Sequence, residues 1–278
     1  MRYQKWIPLV LILGLNLLVI NGCKQSVSTN PGSGVRPFFM YSGGSGVDIS
    51  TIIGTYDTSN LVGLIHLYKI NKTTLEHLTG SSLTNYDGTD AYGDAFSCDS
   101  TGAPGDIQDF TVNAGSFSHI DLGTYSYAGH DLDIYTNGST WNKLRVVGWA
   151  GTFYGHGLDS VKFGAAPAIT NISRGQNISR DSTITVSWSG TSTGFVQLGI
   201  RVRDADTVAD TLGKGYWVGG LFNNSGNQTL TFTPQQLHLG VADVELSKFD
   251  PKFITLSSGK RVCVLCETRH YVTVHIVD

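Results

Sequence analysis

Apolar and polar positions alternate with a period of two in many short stretches of this chain, the signature of strands with one face turned inward. Ile184, Val186 and Trp188 alternate with Thr183, Thr185 and Ser187. Val196, Leu198, Ile200 and Val202 alternate with Gln197, Arg201 and Arg203. Residues 216–222, 228–233, 242–249, 253–257, 261–267 and 271–277 continue the pattern, which predicts seven or eight strands in the last 110 or so residues, the number a β-sandwich needs. Upstream, residues 47–57, 60–70, 107–112, 115–122, 132–137, 143–155 and 160–164 read as strands. In 60–70 both faces are apolar, because Leu61, Ile65 and Leu67 share one side and Val62, Leu64 and His66 the other, so this segment is expected at the centre of a sheet. Asn137-Gly138 is a turn signal of the hairpin type. The segment 234–240 has room for one helical turn at most.

The small-residue junction around Pro167 divides the pattern. The expected organisation is all-β, with two β-sandwich domains, at 47–165 and 166–278, following a leader and a tether. Residues 169–190, ITNISRGQNISRDSTITVSWSG, resemble the opening of bacterial immunoglobulin-like or fibronectin-III-like modules, which would make the second domain a spacer or docking module.

The first 24 residues follow another rule. Arg2 and Lys5 precede an apolar run from Trp6 to Ile20, shorter than the roughly 20 residues of a bilayer span and suited to the core of an export signal. Ile20-Asn21-Gly22-Cys23 then resembles the bacterial lipobox, in which signal peptidase II cuts before a cysteine already joined to diacylglycerol. The resemblance implies a signal peptide at 1–22, acylated Cys23 as the first mature residue, and attachment to the lipid bilayer by more than one chain, as stable anchoring requires. Lys24 stands where Asp would favour the inner membrane, so the implied address is the outer membrane or cell surface. Asn21 departs from the small residue more usual there. Residues 23–46, polar and rich in Gly and Pro, read as a tether, with a short strand around Phe38–Tyr41.

Composition agrees with an exported β protein: 34 Gly and 12 Tyr against 15% charged residues. Without Arg2 and Lys5 the charge is 17 basic against 22 acidic, a net of −5. With no basic tail, nucleic-acid binding is excluded as a dedicated role. Of the four cysteines, Cys263 and Cys266 fall three apart in a predicted strand, on opposite faces and too distant for a mutual disulfide. They are expected to be structural, with a long-range bond from Cys98 to the final strand region as the lesser option.

Two stretches hold candidate chemistry. Residues 85–106 read as a Gly- and Asp-rich loop in which Asp87, Asp90 and Asp94 are candidate ligands for Ca2+, although the spacing of an EF-hand is absent. Tyr92 in the same stretch suits stacking on a sugar. Further on, Asp131, Asp133, Trp141, His156 and Asp159 gather aromatic, acidic and imidazole groups. No GxSxG, HExxH, GxGxxG or P-loop motif is present. The expected function is therefore binding or structural and not enzymatic, with a carbohydrate or a surface protein as partner. The alternatives are an extracellular glycan hydrolase using the acids of 131–159, and a subunit of a surface assembly pairing through an exposed 271–277 edge.

Overall fold

The computed structural model describes residues 39–42, 45–48, 61–77, 82–97, 107, 109–113, 115–121, 124–129, 140–148, 155–190, 194–206, 210, 215–233 and 235–278. The predicted leader, Cys23, Cys98, Asp131 and Asp133 lie outside them. Among the described residues every regular element is a strand: β1 Phe39–Ser42, β2 Ser45–Asp48, β3 Leu61–Glu76, β4 Thr84–Ser97, β5 Asp109–Val112, β6 Gly115–Ser116, β7 Ser118–Asp121, β8 Thr124–Gly129, β9 Asn142–Gly148, β10 Gly157–Val161, β11 Ala168–Ile169, β12 Gln176–Ser179, β13 Thr183–Ser189, β14 Phe195–Ala205, β15 Trp217–Asn223, β16 Asn227–Thr231, β17 Gly240–Thr255 and β18 Arg261–Val277. The fold is all-β, with mixed and antiparallel sheets in a sandwich-like arrangement.

The largest sheet has nine strands in the order β15-β14-β17-β18-β3-β4-β8-β7, with β12 added on β18. It takes strands from both sides of residue 166, because β18 lies parallel to β3 from Arg261 opposite Leu61 to Val272 opposite Thr73. Where β3 stops, β12 takes over the same edge, from Gln176 opposite Val274 to Ser179 opposite Val277. The other edge of β18 is paired with β17 throughout. The expected free edge at 271–277 is therefore corrected: these residues lie in the sheet interior.

Two of the predicted strand pairs are also single strands. Residues 242–249 and 253–257 merge in β17 (16 residues), and 261–267 and 271–277 merge in β18 (17 residues). Pro251 looks like a break, but the pairing of β14 with β17 ends at Lys248, so the missing N–H falls where β17 has only β18 beside it.

Alternation along β18 explains how one face of the sheet carries two cores while Cys263 and Leu265 join a smaller cluster on the other face. Val262, Val264 and Cys266 join β3, β4 and a four-stranded sheet, β10-β9-β5-β6, in a core that includes Ile65, Leu67, Leu144, Val146 and Phe163. Val272, Val274 and Ile276 point to the same side and join β14, β17 and a three-stranded sheet, β11-β13-β16, around Trp188, Leu198 and Val244. The inward set Val196, Leu198, Ile200 and Val202 is buried as the pattern predicts; Gln197, on the opposite side, is buried as well.

Between the cores, on the same side, sits His270. Its Nδ1 accepts the Ile169 N–H at 2.8 Å, and its Nε2 lies 3.4 Å from Thr73 Oγ1. This geometry needs the neutral ring, and burial lowers the imidazole pKa below its ordinary 6.5. The unfolded chain then takes up this proton first, so the stability His270 contributes is present at pH 7 and is lost as pH falls below about 6.5 toward the lower folded value. Melting temperature should fall between pH 7 and pH 5, and His270→Gln, which keeps an acceptor without titrating, should flatten that slope; identical slopes would contradict the assignment.

Cys263 and Cys266 point to opposite faces, and both are free and buried; Cys98, the partner in the long-range option, lies outside the described residues. Burial pushes both thiols up to about 12. Iodoacetamide at pH 8 should label neither in the native protein and both after denaturation, as read by peptide mass. Rapid native labelling would overturn their placement.

Candidate functional site

Residues 85–97 of the predicted Asp-rich loop are corrected to a strand, and 98–106 lie outside the described residues. β4 runs through residues 84–97 and pairs without a break with β3. Its inward residues are Ala91, Gly93 and Ala95, all buried. Gly93 is required there: a Cβ would stand 2.7 Å from the Phe117 ring. Small residues inward, with Asp90 and Asp94 outward, give a strand that looks like a loop. The same alternation separates the proposed calcium ligands, since Asp87 lies on one face and Asp90 and Asp94 on the other. Asp87 pairs with Arg174, and Asp90 with Lys72 at 2.8 Å. Among the described residues no three His, Cys, Asp or Glu side chains are gathered so as to hold a metal ion.

Tyr92 faces outward with Asp90 and Asp94. Its ring stacks on Tyr68 with centroids 5.4 Å apart, and the Arg269 guanidinium lies 4.7 Å from the Tyr68 centroid. Beneath them runs a polar network. Arg269 donates through Nε and Nη2 to the two carboxylate oxygens of Glu267 at 2.6 and 2.8 Å, and His66 Nε2 is 2.7 Å from Glu267 Oε2. Glu267 is fully buried. Burial alone would raise its carboxyl, but the Arg269 guanidinium and the His66 ring outweigh this and hold it well below the usual carboxylate range. The band continues across the sheet as Arg201 to Glu245, at 2.5 and 3.0 Å, and Arg203 to Asp243, at 3.0 Å. These pairs occupy one another and fix the sheet.

Trp141 and Asp159, on the four-stranded sheet, share one neighbour, Lys252. Trp141 immediately precedes β9 and is half exposed, at 50%. Val161 pairs with Asn142, which sets the next residue, Lys162, against Trp141, and the Lys162 Nζ lies 5.1 Å from the indole centroid. Lys252 reaches in from β17 to 5.9 Å from the same ring. Its Nζ also donates to Asp159 Oδ1 at 2.7 Å and to the Ser160 carbonyl at 2.6 Å. His156 immediately precedes β10, where its backbone exchanges hydrogen bonds with Ser257 while its side chain is exposed. Tyr92, on the far side of the large sheet, is not part of this group.

The lysines are absent from the residues that the sequence singles out. Lys143 and Arg145 in 143–147 follow the two-residue period that puts both on one face, a signal that is legible there. Lys252 comes from 93 residues beyond Asp159, and only the fold brings it in. Electrostatically, the arrangement is an indole with two ammonium groups over it, a cation–π geometry. One of the two is fixed by a carboxylate. Comparison with known proteins finds no family model that matches this chain and no curated protein that is significantly similar to it.

Proposed function

We propose that this is a lipid-anchored protein displayed on the outer membrane or cell surface, which binds carbohydrate through the outward face of β9 and β10. Catalysis is not part of this reading. The anchor rests on the basic head, the short apolar run and Gly22-Cys23. The immunoglobulin-like character of residues 166–278 rests on the pattern around Trp188, and that part serves as platform and spacer.

The observation that carries the binding role is Trp141. A large indole held half exposed by flanking side chains costs solvation of apolar surface and returns nothing to either core, whereas a flat ring of this kind suits the apolar face of a pyranose. Lys162 and Lys252 limit its motion, so little ordering is left for binding to supply.

A glycan array probed with the detergent-solubilised full chain should show bound saccharides, and Trp141→Ala should abolish or strongly weaken that binding without lowering the melting temperature. Absence of binding at high protein concentration would overturn the carbohydrate role. The anchor has its own test: Cys23→Ser should move the protein out of the membrane fraction, and persistent retention would contradict it.

A further inference from the structure

We infer that two copies of this chain pair edge to edge through β15 and that the protein works as a two-fold dimer. The inference is independent of the carbohydrate reading. β15 closes one side of the nine-stranded sheet: among the described residues it pairs with β14, and nothing lies beyond it. The Val202 N–H donates to the Tyr216 carbonyl at 2.8 Å and the Asn224 N–H to the Gly194 carbonyl at 3.0 Å. Hydrogen-bonded pairs alternate along an antiparallel ladder. Val218, Gly220 and Phe222 therefore bond to β14, while Trp217, Gly219, Leu221 and Asn223 turn their N–H and C=O groups outward. The Asn223 carbonyl accepts the Ser225 N–H at 2.9 Å. The outward groups of Trp217, Gly219 and Leu221 have no partner among the described residues. No residue of β15 is buried, so water reaches every position of the strand.

An unpaired row of this kind is a template for another strand, and sheets ordinarily blunt it with charge, proline, a bulge or shortness. The opposite edge of the same sheet has such devices: β7 is four residues long, ends in Asp121 and shifts register between His119 and Asp121. β15 has none of them, since its sequence is WVGGLFN and its register with β14 is unbroken. Its symmetry selects a second copy as the occupant. A two-fold interface sets the strand antiparallel to itself. Full overlap of residues 217–223 then puts Gly220 on the axis, Val218 opposite Phe222, Gly219 opposite Leu221 and Trp217 opposite Asn223 of the second copy. The residues with outward N–H and C=O groups face one another, as hydrogen-bonded pairs must. Val218 against Phe222 is a favourable β-branched and aromatic pair, Leu221 meets a residue without a side chain, and no charge in the strand meets its like. The Trp217 indole leaves the approach open because it lies back over the sheet, where a Cβ on Gly199 of β14 would stand 2.6 Å from its Nε1. Pairing uses up both β15 edges, so assembly stops at two chains.

The test is sedimentation equilibrium of the detergent-solubilised full chain, together with oxidation of Gly220→Cys. The strand contributes seven residues a side, below the roughly 20–30 of a standard interface, so association should be reversible and the parent should pass from one chain to two as concentration rises. Gly220→Cys, oxidised with copper phenanthroline, should give a covalent dimer whose bond maps by peptide mass to position 220 of both chains. Opposed Cα atoms of a non-hydrogen-bonded pair stand about 4.5 Å apart, within disulfide range. Leu221→Pro removes an outward N–H and none that bonds to β14, and Asn223→Pro does the same at an exposed position. Either should keep the circular dichroism of the parent and stay monomeric at concentrations where the parent is dimeric; if Leu221→Pro does not fold, Asn223→Pro alone decides. A parent that stays monomeric at its highest soluble concentration, with no bond between positions 220, would overturn the inference. A dimer that the proline variants leave intact would join through another surface and would overturn it too. So would a folded Gly220→Cys variant that links to a different protein and not to its own copy.

Discussion

Arg269→Ala should lower stability by ~3–5 kcal/mol at pH 7, the largest single effect expected of any polar substitution in this chain. The guanidinium is the only cation donating two hydrogen bonds to Glu267 among the described residues, at 2.6 and 2.8 Å. Without it the carboxylate is left in a fully buried site with the His66 ring as partner. The loss should depend on pH. In the native chain Glu267 titrates below its ordinary 4.5, so its stabilisation is present above that value and is lost as pH falls from 4.5 toward the lower folded pKa. In Arg269→Ala the charge that holds the carboxyl down is gone, burial raises its pKa, and the difference between variant and parent should shrink as pH drops below about 5. Replacing the pair together, as Glu267→Leu with Arg269→Met, should cost far less than Arg269→Ala alone, since an apolar pair has no uncompensated charge. A guanidinium titration series at pH 7 and pH 4 measures both effects; equal losses at the two pH values would contradict the ion-pair account.

The second large effect concerns the two cores. Leu144 and Leu198 are both fully buried, the first on the inner face of the four-stranded sheet and the second in β14 beneath the three-stranded one. Each Leu→Ala change should cost ~2–5 kcal/mol from lost transfer free energy and the cavity left behind. The two residues share no core, so their costs should add to within about 0.5 kcal/mol in the double variant. Because β17 and β18 line both cores, either change should shift one unfolding transition and leave it single. Two separate transitions in circular dichroism and fluorescence would show that the halves unfold independently.

Much of this is legible in the sequence. Alternation in 183–188 and 196–202 identifies β13 and β14 and their inward faces, and the two apolar sides of 60–70 place β3 inside a sheet. The errors have physical causes. β4 does not read as a strand because its core-facing positions hold Ala and Gly, suited to the close approach of Phe117, while Asp87 is paired with Arg174, distant in sequence. Pro251 and the polar run Glu267–His270 look like breaks, yet the proline sits beyond the end of β14, and Glu267 and Arg269 find partners on one face and His270 on the other. A parallel pairing between residues near 65 and near 265 leaves no local mark, since register across 200 or so residues is set by packing and not by a turn. At the candidate site, Trp141 and Asp159 are identifiable from residue type, while the role of Lys252 depends wholly on that long-range arrangement.

The pairing of β3 with β18 is what makes one sheet of both halves and brings β17, with Lys252, up to Trp141. It can be measured through a cysteine already present. Cys266 is the register partner of Leu67, both on the same core face, and neighbouring strands stand about 4.8 Å apart, within disulfide range. Leu67→Cys, refolded in a glutathione redox buffer, should form a disulfide mapped by peptide mass to residues 67 and 266. A folded protein in which those two thiols stay reduced, or in which the introduced cysteine links elsewhere, would contradict the single-sheet architecture.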